Sequence, residues 1–149
     1  MTIVETYLKL THEYKLEYGP KTLVLMQVGS FFEVYGLQDK DGKISESNII
    51  EFSEICDMNI SKKIGQVQKK NVMMAGFGIA QLDKYLKKLQ DAGYTVPVYT
   101  QDSPTKNTTR SLYQIISPGT FFSQDSRELS NNISTIWVYQ YNFKNCKFT

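Results

Sequence analysis

The stretch Gly29-Ser30-Phe31-Phe32-Glu33-Val34-Tyr35 holds the residues whose types and order best suit chemistry on a partner. In an extended strand successive side chains point to opposite faces, so Phe31 and Phe32 separate and Phe31 shares a face with Glu33. One ring can then serve the core while the other stands on the surface. An aromatic ring held in water beside a carboxylate, next to a glycine at a strand end, is costly unless it contacts something. Such a pair offers stacking by the ring and hydrogen bonding by the carboxylate. The competing reading buries both phenylalanines and leaves Glu33 as a solvated charge. The segment alone leaves both open.

Catalytic chemistry finds no comparable constellation. No glycine is placed for a G-x-x-x-x-G-K-[ST] phosphate loop, and neither G-x-G-x-x-G after a strand nor a G-x-S-x-G elbow occurs. Gly76-Phe77-Gly78 reads as a tight loop. Cys56, Cys146 and His12 are the only cysteines and histidine, too few and too scattered for a four-ligand zinc site. The two cysteines are expected as free thiols, since a disulfide is uncommon in an intracellular chain. Asp39-Lys40-Asp41-Gly42 imitates part of a calcium loop, but Leu37 and Asn48 stand where its end ligands belong, so a polar turn is expected. No metal or cofactor is therefore expected in this chain, and no enzymatic activity.

The elements that must carry the pair follow from periodicity. Thr2-Ile3-Val4-Glu5 is a capping box opening a helix that Gly19-Pro20 ends. Thr22–Val28 reads as a buried strand, broken at Gly29-Ser30 before Phe31–Tyr35. Asn48–Cys56 reads as a short amphipathic helix, and Asn59–Lys70 as a polar, basic segment. Val72–Gly76 reads as a strand and Ile79–Gly93 as a helix with Leu82, Leu86 and Leu89 on one face. Tyr94–Thr100 and Ser111–Ile116 read as strands, with Pro97 at an edge or a position without a ladder bond. Ile133–Tyr141 reads as a further strand with few elements to pair with. The expected fold is α/β (α+β), a mixed sheet of about five strands flanked by three helices.

The chain has 149 residues, 41% of them apolar, enough for one compact domain with a core or for one domain and the start of a second. No apolar run approaches the ~20 residues that span a bilayer. The start, Met1–Leu10, lacks the basic and apolar regions of a secretory signal. An intracellular location and no membrane partner are expected. The net charge of +2 hides an asymmetry: residues 1–60 carry −5 and residues 61–149 carry +7. A basic second half suits a polyanionic partner, and equally an unevenly charged solvated surface.

Five segments in order carry a resemblance. Leu25-Met26-Gln27-Val28-Gly29-Ser30-Phe31-Phe32-Glu33-Val34-Tyr35 is similar to the F-Y-R-M-G-D-F-Y-E-L-F stretch of the DNA mismatch repair MutS family. Cys56-Asp57-Met58-Asn59-Ile60-Ser61-Lys62-Lys63 resembles its L-D-I-S-L-T-K-R. Val72-Met73-Met74-Ala75-Gly76-Phe77 resembles I-P-M-A-G-I-P, Tyr85-Leu86-Lys87-Lys88-Leu89 resembles Y-L-A-K-L, and Ile115-Ile116-Ser117-Pro118-Gly119-Thr120 resembles I-V-T-P-G-T. The likeness covers about residues 5–120. It implies an N-terminal mismatch-recognition domain, domain I, over 1–120, with a linker and the first strands of a truncated connector domain over 121–149. Three features depart from the pattern: Ser30 stands where the family often has Asp, Gly78-Ile79-Ala80 replaces P-Y-H, and residues 39–47 look like an insertion.

The resemblance implies a function as well. Phe31 would enter the minor groove and stack on a mispaired base, and Glu33 would hydrogen-bond that base. Lys62, Lys63 and Arg110 match basic positions of the family and would contact phosphate, which fixes register without reading sequence. The partner would be mismatched double-stranded DNA. The parent protein would dimerise and bind ATP and magnesium through a C-terminal ATPase domain outside this chain. Two other readings compete. One is a single-strand RNA- or DNA-binding module of RNP type, which stacks bases on strand aromatics. The other is a MutS-derived interaction domain without DNA binding.

Overall fold

The computed structural model describes residues 2–103, 108–118 and 135–138. Helix α1, Ile3–Tyr18, starts at the expected capping box: the Glu5 amide donates to the Thr2 hydroxyl and the Thr2 amide to the Glu5 carboxylate at 2.7 Å. Strands β1 (Leu25–Val28) and β2 (Phe31–Gln38) form an antiparallel hairpin, and the two-residue strand β3 (Ile44–Ser45) pairs with the far end of β2. Helix α2 (Ile49–Cys56), strands β4 (Ser61–Val67) and β5 (Lys70–Gly78) and helix α3 (Leu82–Asp91) follow. Strands β6 (Val96–Gln101) and β7 (Arg110–Ile116) come last.

The seven strands form one mixed sheet in the order β4-β5-β2-β1-β6-β7, with β3 beside β2. Only β1 and β6 run parallel; the other pairs are antiparallel. The expected class and its three helices are present, with β3 and β4 added to the strands read from the sequence. Alternation along β2 assigns the two faces. Phe32 packs with Phe77 of β5, which meets Phe52 of α2 and Tyr85 of α3, so α2 and α3 cover that face. Tyr35, on the other face, meets Tyr7 of α1 edge-on, with centroids 5.2 Å apart. The core thus lies on both sides of β2, six of whose eight residues are buried.

Several boundaries differ from the sequence reading for identifiable reasons. Gly76-Phe77-Gly78 is not a loop but the end of β5, paired in register with Phe31, Phe32 and Glu33. Ile79–Gln81 form a 3-10 turn ahead of α3. The β6 strand lies inside the sheet, so Pro97 is not at an edge. It stands instead between the isolated Thr22–Thr95 bridge and the Leu25–Val98 pair, where a residue without an N–H interrupts the β1–β6 ladder. Asp39–Gly42 make the expected polar turn, with the Asp39 carboxylate accepting from the amides of Asp41 and Lys43 at 3.0 and 2.9 Å. Residues 135–138, inside the expected last strand, have no regular structure and are exposed. The rest of that strand and most of the proposed connector start lie outside the described residues.

Candidate nucleic-acid interface

Phe31 is the first residue of β2, directly after the Gly29-Ser30 turn. Gly29 has φ +59° and Ser30 does not share the positive φ, which is the pattern of a two-residue type II′ hairpin. The turn is tied down from its neighbours. The Gly29 amide donates to Gln101 Oε1 at 2.8 Å, and the Gln101 amide donates to Gln27 Oε1 at 3.1 Å. Gln27 Nε2 donates to the Gly29 carbonyl at 3.1 Å, and the Ile79 amide to the Ser30 carbonyl at 3.0 Å. Phe31 therefore projects from a braced corner of the sheet. Phe31 is 54% exposed, whereas Phe32 is 1% exposed in the core. The two rings part as alternation requires, and the reading that buries both is excluded.

Glu33 shares the Phe31 face, but it is not a solvated carboxylate: the residue is 8% exposed. Its Oε2 accepts from Lys63 Nζ at 2.6 Å and from the Tyr35 hydroxyl. Lys63 Nζ also lies 3.0 Å from the Tyr35 oxygen and 4.8 Å from its ring centroid. Burial, then the hydrogen bond to Glu33 and its charge, hold the Tyr35 hydroxyl far above the ordinary phenol range, with Arg110 acting against them. The phenol stays protonated and serves Glu33 as a donor. Phe31 and Glu33 line one hollow of about 270 Å³ with Asn59, Ser61, Met74 and Gly76.

The three candidate cations are not brought together. Lys63 reaches across to Glu33. Lys62, next to it on β4, is exposed and paired with Met73, so it belongs to the opposite face. Arg110, at the start of β7, donates from Nε to the Gln27 carbonyl at 2.7 Å and so braces the hairpin that carries Phe31. Lys62 and Lys63 also line a broader hollow of about 660 Å³ with Ile64, Gly65, Gln66 and Asn71.

Tyr35, Gln27, Gln101 and Gly76 were absent from the candidates drawn from the sequence, yet they hold or shape the site. Gly76 had a detectable signal, a glycine beside a strand where another backbone approaches closely. Tyr35 donates to Glu33 only two residues away but meets Lys63 and Tyr7 from far along the chain, and Gln27 and Gln101 meet only through the fold.

The arrangement defines an α+β domain that presents one aromatic ring from a braced hairpin beside an ion-paired carboxylate. Residues 3–125 match the MutS domain I family, and the chain belongs to that family. It is 27% identical over 143 residues to a mutS homolog of Acanthamoeba polyphaga mimivirus, covering 92% of this chain and 12% of the relative. It is 28% identical over 138 residues to the DNA mismatch repair protein MutS of Petrotoga mobilis, covering 90% and 14%. The MutS of Phocaeicola vulgatus is 34% identical over 104 residues, covering 67% of this chain and 11% of its own. The chain thus spans only about an eighth of the length of these relatives.

Proposed function

We propose that this chain recognises mismatched duplex DNA, with Phe31 as a minor-groove wedge stacked on a mispaired base and Glu33 as the hydrogen-bonding contact to that base. The observation that carries this reading is the pairing of an exposed ring with a preset carboxylate on one face of a stiff hairpin. Membership of the MutS domain I family supports it. Driving an apolar wedge between bases costs a few kcal/mol of lost stacking per step. A mismatch has already lost part of its pairing and stacking, so the kink is less costly there and the discrimination comes mainly from deformability. One site can therefore accept many mismatches.

The single-strand reading has less support. A sheet that stacks successive bases needs an open face with several aromatics. Here α1 packs across the face that carries Tyr35, and Tyr99 is engaged by Tyr14, with hydroxyls 2.9 Å apart. The larger protein is proposed to be a dimer that couples mismatch binding to ATP through a domain outside this chain, with the recognition domain ending near residue 120. Lys62 is proposed to meet phosphate.

The test is binding of the native protein to duplexes with and without a single mismatch, compared with Phe31→Ala. The variant is expected to lose the mismatch preference and keep residual nonspecific affinity. Retention of the full preference by Phe31→Ala overturns the proposal.

A further inference from the structure

We propose that Lys63 is a positioning residue for Glu33, holding that carboxylate in advance for the base, rather than a phosphate contact. The inference rests on the reading of Phe31 and Glu33 given above. Both donors to Glu33 converge on Oε2: the Lys63 ammonium at 2.6 Å and the Tyr35 hydroxyl. Oε1 receives no hydrogen bond among the described residues, while Glu33 lines the same hollow as the Phe31 ring. One oxygen fixes the side chain and the other is left for a ligand. The carboxylate therefore acts as an acceptor, and the group it selects is an N–H donor on the edge of the displaced base.

Lys63 is itself located. Its ammonium bonds Glu33 and the Tyr35 oxygen and lies 4.8 Å from the Tyr35 ring centroid. An ammonium has three donors, and two of them are committed to Glu33 and Tyr35, which leaves at most one for phosphate. Two effects follow. Fixing the Glu33 rotamer before binding removes an ordering cost from the encounter. A cation in contact with the carboxylate offsets the repulsion between Glu33 and the duplex phosphates, which an unpaired acid would meet in full. Lys62, one residue away on the opposite face, has neither partner and lacks this role.

The two roles of a cation separate in the salt dependence. Losing a phosphate contact weakens binding to every duplex alike and makes the slope of log affinity against log salt shallower by about one. A positioning residue changes the mismatch preference, leaves the slope alone and acts only while Glu33 is present. The native protein, Lys63→Met, Lys63→Gln, Lys63→Arg, Glu33→Ala and Lys63→Met/Glu33→Ala are compared on matched and mismatched duplexes over a salt series. Thermal melts establish that each variant is folded, and Lys63→Gln replaces Lys63→Met if the latter is not.

The expected result is a several-fold loss of mismatch preference in the neutral variants at unchanged slope, and recovery in Lys63→Arg. No further loss is expected when Lys63→Met is added to Glu33→Ala. Equal weakening on both duplexes, a slope shallower by about one, or losses that multiply with Glu33→Ala overturn the inference. Phe31→Ala, run alongside, separates the failures. If it keeps the mismatch preference, the site reading falls and this inference falls with it; if it loses the preference while Lys63→Met behaves as a phosphate contact, only this inference falls.

Discussion

The Tyr35 hydroxyl joins the core to the site, because the same side chain packs on Tyr7 and donates to Glu33. Tyr35→Phe removes the donor and keeps the ring. A hydrogen bond to a charged group contributes roughly 1.5–3 kcal/mol, and Glu33 keeps its Lys63 partner in the variant, so a loss at or below the low end, about 1–1.5 kcal/mol, is expected in chemical denaturation. An unchanged midpoint would show that the contact contributes nothing to stability. Phe31 and Glu33 were legible in the sequence because alternation needs only neighbouring residues. Alternation left open which ring faces water, and only the family likeness pointed to Phe31; what Glu33 meets was not legible. Glu33 and Lys63 are thirty residues apart, and their contact exists only because β4 folds back beside β5, itself paired with β2. Arg110, read as a phosphate cation, likewise found its Gln27 partner 83 residues away.

Among the elements, the β2–β5 pair sets the geometry of the site. Gly76 stands opposite Glu33 in that ladder, and a Cβ placed on it would lie 2.5 Å from the Phe32 carbonyl oxygen and 3.3 Å from Glu33 Cα. Neither neighbour is a flexible side-chain tip, so Gly76→Ala must push the two strands apart where Glu33 is held. Overpacking of this kind costs about 1–3 kcal/mol. The variant is expected to melt lower and to lose mismatch preference out of proportion to its small surface change; a melting temperature equal to the parent's contradicts the close approach. Glycine on either side of Phe77 made this segment resemble a turn, although the glycines serve strand packing. The β4 strand escaped the sequence reading for a different reason. Ser61–Val67 has no buried residue and no apolar alternation, as befits a charged edge strand that must resist pairing with other chains. Elements with a buried face, such as β1, β2 and the Leu86–Leu89 face of α3, announced themselves through that face.

At the scale of the whole molecule, the core is assembled around acids that burial keeps neutral. The Cys56 thiol is pushed up to about 11 from an ordinary 9.0, chiefly by burial. Burial likewise pushes up the hydroxyls of Tyr7 and Tyr35, inside the sheet–α1 layer, and of Tyr99. Each group ionises more readily in the unfolded chain than in the native one. Below pH 9 both states keep these protons and the groups are silent. As pH rises past the unfolded values, the unfolded chain releases protons that the native state retains, so stability falls with pH. For Cys56 the fall begins near pH 9 and is complete above about 11. The tyrosines extend it to higher pH, because their ordinary value is 10.0 and their native values lie above it. Unfolding free energy measured by denaturant between pH 8 and 11 is therefore expected to hold until near pH 9 and to decline from there. Cys56→Ala should flatten the onset of that decline, beyond whatever packing the missing sulfur costs at neutral pH. In an alkaline titration the tyrosinate absorbance of the buried rings should rise together with the loss of circular dichroism, as one cooperative event. Ionisation of all ten tyrosines with a common midpoint at the ordinary value of 10.0, and with the fold intact, would contradict the buried, neutral packing of α1 against the sheet.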